Sequence, residues 1–121
     1  VPDPDRLDGA VLGVETAQHV PEPEMVGGTL MAMGERGLLE RFSGVIVGRP
    51  PTRSHLVEKT DAERVAYRNN FYDTVVEWIG RYNPDVPIVM GLDWGHTNPI
   101  APLPLGREVA IRPEDRTVVV Q

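Results

Sequence analysis

Gly44-Val-Ile-Val-Gly48, running into Arg49-Pro-Pro-Thr-Arg53, organises the rest of the chain around itself. Consecutive β-branched residues between glycines read as a short strand buried on both faces. Prolines have no N–H to continue a central ladder, so the chain leaves this strand as a loop at Pro50. Upstream, Ala10-Val-Leu-Gly-Val14 has the same character and ends on Glu15. Between the two, Pro21-Glu-Pro-Glu24 opens a helix, with proline in the first turn and acids at the positive end of the dipole. Val26, Leu30, Met33 and Leu38 lie near one face of it. Gly27, Gly28 and Gly34 imply close packing of its backbone, and Gly37 suits its C-terminal cap. Two apolar strands joined through a helix imply a parallel pair with a crossover.

Downstream a second helix and a third strand follow, without sequence repetition. Thr60-Asp-Ala-Glu63 has the form of a capping box. It starts a helix over 61–81 whose apolar stripe is read as Val65, Tyr72, Val75, Val76 and Ile79, and Asn83-Pro84 ends it. Pro87-Ile-Val-Met-Gly91 gives a third buried strand, followed by the turn-rich loop Leu92-Asp-Trp-Gly-His-Thr-Asn-Pro99. Leu103–Gly106, Arg107–Ile111 and Arg116–Val120 read as strands, the last two forming a hairpin around Arg112–Arg116. The expected fold is α/β: three short parallel strands with two helices plus a C-terminal antiparallel hairpin. Residues 1–7 read as a linker remnant and 8–121 as one domain. With no initiator Met, the expectation is a piece of a longer chain.

The 121 residues suffice for one core. A net charge of −6 argues against a nucleic-acid polymer as partner. No apolar run approaches the roughly 20 residues of a membrane helix, so no membrane partner is expected. Without cysteine there is no disulfide, thiol nucleophile or thiolate metal site, which fits a reducing cytoplasm. No metal site and no cofactor is expected, since no histidine pair has ligand spacing.

Of the three histidines, His19 and His55 sit in polar, proline-bounded stretches and read as solvent-exposed. His96 follows Gly95 in a tight loop after a buried strand, where glycine permits a backbone angle that aims the imidazole. Glu15 closes a buried strand, and strand ends are where open α/β sheets place chemistry. Taken alone, those positions are more often filled by a surface acid and by a structural or exposed loop histidine. Ser43 and Ser54 lie outside any strand-to-helix elbow, so they read as turn residues and the chain holds no complete serine triad.

Gly91-Leu-Asp-Trp-Gly-His-Thr-Asn-Pro99 followed by Leu103-Pro-Leu-Gly106 resembles the C-terminal motif of the LD-carboxypeptidase and microcin C immunity family of serine peptidases. Val11-Leu-Gly-Val-Glu-Thr16 resembles the family strand that ends on the triad glutamate. Met33–Pro50 resembles the family's following helix, strand and G-R-P exit loop. The resemblance spans residues 8–120. It implies a small swivelling-type domain in which His96 is the general base and Glu15 its orienting carboxylate. The nucleophilic serine and the oxyanion-hole amides would belong to an N-terminal α/β domain, this chain's implied partner, so the chain alone should hydrolyse nothing. The expected full-length protein is a cytoplasmic homodimer. Family substrates divide between murein peptides and peptidyl- or aminoacyl-nucleotides. Thr16 after Glu15 favours the second type. Trp94 has two readings, a surface for stacking on a base or sugar, or packing against Pro99 or Pro102.

Overall fold

The computed structural model describes residues 3–54, 56 and 58–121. The apolar runs fold as strands β1 (Val11–Val14), β2 (Gly44–Gly48) and β3 (Ile88–Leu92), in the order β1-β2-β3 with both pairs parallel. Each crossover is a helix, α1 (Pro23–Gly34) and α2 (Asp61–Tyr82). The hairpin is β4 (Val109–Arg112) with β5 (Thr117–Val120), paired antiparallel. The α/β class, the three parallel strands with two helices and the terminal hairpin agree with the sequence reading. No helix among the described residues is long and apolar enough to cross a membrane.

β2 is buried along its whole length because the sheet is covered twice. On one face Val45 and Val47 meet the helices in a core with Leu30, Leu39, Phe42, Phe71, Val75 and Ile79. On the other, Ile46 and Gly13 face Leu103–Val109, and a methyl at Gly44 would stand 2.6 Å from Ile111 Cδ1. A strand covered on both sides loses alternation, which is why 44–48 is apolar throughout.

The helices pack backbone to ring. A methyl at Gly27 would stand 2.6 Å from Trp78 Nε1, and one at Gly34 would clash with the Tyr82 ring, whereas Gly28 faces open space. α1 ends in a Schellman arrangement, with Leu38 N–H donating to Met33 and Gly37 N–H to Gly34, and Gly37 at φ +66°. The capping box of α2 is complete: Thr60 accepts from the Glu63 N–H, and Glu63 accepts from the Thr60 N–H.

Three readings are corrected. β1 and β3 are the edges of the sheet and no residue of either is fully buried, so of the three apolar runs only β2 is the buried strand expected. The buried stripe of α2 is Tyr67, Phe71, Val75 and Ile79, while Val65 and Val76 are exposed. Leu103–Gly106 is not a strand but crosses the sheet face as coil and turn, since Pro102 and Pro104 have no N–H for a ladder. At the N-terminus Pro4–Leu7 forms a 3-10 turn, and Arg41 pairs with Asp8 at 2.8 Å.

Candidate active site

Parallel strands put their C-terminal ends on one edge of the sheet. Glu15 directly follows β1, and His96 lies in the loop after β3, so one strand, β2, separates their origins. Neighbouring strands are about 4.8 Å apart, so the two side chains must close a gap of about 10 Å over the end of β2. They do so: His96 Nδ1 and Glu15 Oε2 are 2.7 Å apart, between residues 81 positions apart in sequence. The pair is partly open to solvent, with side-chain exposures of 42% for His96 and 33% for Glu15.

Two glycines permit the closure. Gly48 ends β2 beneath the pair, where a methyl would stand 2.6 Å from the Trp94 carbonyl oxygen and 3.5 Å from Glu15 Cβ. Gly95 adopts φ +83°, and a methyl there would lie 2.7 Å from Glu15 Oε2. The chain thus turns left-handed where the carboxylate comes against its backbone. Sequence reading found Gly95 but not Gly48, whose role depends on a loop arriving from another strand.

The His96 loop is fastened from below. Arg49 donates to Asp93 at 2.8 Å and to the Asn98 carbonyl at 3.1 Å, and its backbone N–H donates to Leu92. One guanidinium therefore grips both sides of the His96 turn, a role that sequence reading missed. The Trp94 indole lies over β1, so that a methyl at Gly13 would be 3.0 Å from its Cη2. Thr16 Oγ1, Arg49 Nε and Trp94 Nε1 are buried without a hydrogen-bond partner among the described residues.

Beside the pair, a groove of about 740 Å³ runs between His96–Asn98 and the Pro50–Arg53 loop. Trp94 is not among the residues that line it. A second concavity, apolar and bounded by Glu15, Met25 and Met33, opens between β1 and α1. His19 is exposed, and His55 lies outside the described residues. Ser43 donates to the Gly9 carbonyl at 2.6 Å and Ser54 accepts from the Leu56 N–H, so both serve turns. Ile100 is 62% exposed and Trp94 is half-buried. Among the described residues no three His, Cys, Asp or Glu side chains gather as metal ligands.

With Nδ1 donating its proton to Glu15, the remaining nitrogen, Nε2, carries a lone pair and can accept a proton from a hydroxyl. A carboxylate so placed fixes the tautomer and stabilises the imidazolium that would form.

Comparison with known structures finds a similar fold in an MccF-like protein from Streptococcus pneumoniae, solved in complex with AMP. The TM-score is 0.79 at 22% identity, covering 100% of this chain and 31% of that one, so the present chain spans about a third of its neighbour. No curated protein matches the sequence. Residues 2–111 match the family described as LD-carboxypeptidase C-terminal domain, and the chain belongs to that family.

Proposed function

We propose that this chain supplies the histidine base and the glutamate of a Ser-Glu-His triad to a cytoplasmic serine carboxypeptidase or amidase. The 2.7 Å contact between His96 Nδ1 and Glu15 Oε2 carries the reading. Membership of the LD-carboxypeptidase C-terminal family supports the reaction class, amide hydrolysis. The serine, delivered by a separate N-terminal domain, loses its proton to His96 Nε2 as its oxygen attacks the carbonyl. His96 then returns that proton to the leaving amine, and water repeats the cycle on the acyl-enzyme.

Of the two substrate types, peptidyl- or aminoacyl-nucleotides are favoured over murein peptides. Thr16 after Glu15 supports this choice, as does the fold's likeness to an MccF-like protein that binds AMP. Trp94, read from the sequence as a stacking surface, has its indole over Gly13 and outside the groove, so it adds no support to this choice. A non-catalytic binding module sharing the fold is the competing reading, and a hydrogen-bonded Glu15–His96 pair is not what it calls for.

His96→Ala in the full-length protein is expected to lower kcat by about 10⁴-fold or more, with thermal unfolding unchanged. The test is steady-state hydrolysis of an aminoacyl-sulfamoyl adenosine and of a murein tetrapeptide. A fully active His96→Ala enzyme defeats the catalytic reading, and turnover of the tetrapeptide alone reverses the substrate preference.

A further inference from the structure

The groove beside His96 carries a charge that the rest of the chain does not. Acidic residues outnumber basic ones, 18 to 12, yet the groove is lined by Arg49, Arg53 and Arg68 and by no Asp or Glu. Arg49 is committed to Asp93. No ion pair joins Arg53 or Arg68 to a carboxylate among the described residues, although Arg64, one turn from Arg68 on α2, pairs with Asp61. Arg68 is half-buried against the groove and is not spread into solvent. The arginines also act on one another's surroundings: burial raises the Tyr72 phenol, while Arg68 and Arg49 both pull it down. Pro50 and Pro51 stiffen the loop that presents Arg53, so little freedom is lost when it meets a ligand.

We infer that Arg53 and Arg68 form an anion-binding wall that holds a phosphate or carboxylate of the substrate beside His96. The inference rests on the proposed hydrolytic function and adds to it what orients the substrate. Guanidinium groups bind both anions through paired N–H donors, so the shared chemistry is a planar or tetrahedral oxyanion. The Thr52 and Thr97 hydroxyls line the same groove and can complete its shell.

The test uses the full-length protein with two matched probe pairs, AMP against adenosine and a murein tetrapeptide against its C-terminal amide. Calorimetric binding should favour the charged member of one pair. AMP over adenosine assigns a phosphate, and tetrapeptide over amide assigns a carboxylate. Arg53→Ala and Arg68→Ala should each weaken the charged probe about tenfold and leave the neutral one unchanged. Lysine at either position should restore part of the loss. Equal binding of charged and neutral members by the wild type overturns the inference, as does equal loss of both in the variants. His96→Ala separates the two readings, since it should keep the charge preference while abolishing turnover. A protein that binds AMP through these arginines but hydrolyses nothing refutes the catalytic reading alone. One that hydrolyses with no charge preference refutes the anion wall alone.

Discussion

At the scale of single residues, the site depends on what positions 95 and 48 lack. Gly95→Ala puts a β-carbon at φ +83° and within 2.7 Å of the Glu15 carboxylate. The backbone penalty alone is about 1–2 kcal/mol, and the clash pushes the glutamate off His96. The expected result is a modest fall in the denaturation midpoint with a loss of kcat far beyond it, read by urea titration and initial rates on the full-length protein. His96 and Gly95 were legible because glycine before a loop histidine has a local backbone meaning. Gly48 was not, because nothing in Gly-Val-Ile-Val-Gly indicates that Trp94 will pass overhead. The Trp94 indole was illegible for the same reason, since its resting place is Gly13 of a strand distant in sequence.

At the scale of elements, Arg49 ties the exit of β2 to the loop after β3. Arg49→Ala should unfasten the His96 turn, lowering kcat about 10–100-fold while leaving the secondary structure intact. Circular dichroism beside kinetics checks both parts, and unchanged kcat would show that the loop holds itself. Thr60→Ala removes the cap of α2 and should cost about 1 kcal/mol in denaturant unfolding. That cost should depend on pH. Hydrogen bonds from Thr60 hold the Glu63 carboxyl below its ordinary value, so their stabilisation is present above the unfolded-state value and lost as pH falls through the folded one. The variant keeps the Thr60 backbone N–H and loses only the hydroxyl's bond to that carboxylate, so the gap between wild type and variant should narrow in acid without closing. The cap was fully legible, being a four-residue pattern. The buried stripe of α2 was not. Apolar side chains occur on several sides of that helix, and only the approach of α1 and the sheet selects Tyr67, Phe71, Val75 and Ile79. Val65 and Val76 have the same chemistry on the wrong side.

At the scale of the molecule, the parallel pairing was legible because β-branched runs separated by helical lengths call for crossovers, but the spatial order β1-β2-β3 was not written in those runs. The path of residues 103–106 was not legible either, since prolines say where a ladder is forbidden but not where the chain goes instead. The 121-residue chain alone is expected to release no product from either substrate type, measured against the full-length protein at equal molarity. The hydrogen bond across the end of β2 has a consequence for how the complete catalyst comes together. In the proposed triad three groups would have to converge before an amide could be cut, and two of them are joined when this domain folds, their loop entropy spent in closing a chain segment of 81 positions. An incoming nucleophile domain of the kind proposed would then face a two-body docking problem, with only one oxygen to be aimed. Small errors in that docking would change the reach of the attacking oxygen but leave the proton acceptor's orientation intact. A hinge between the domains could then act as a throttle on turnover without ever dismantling the base.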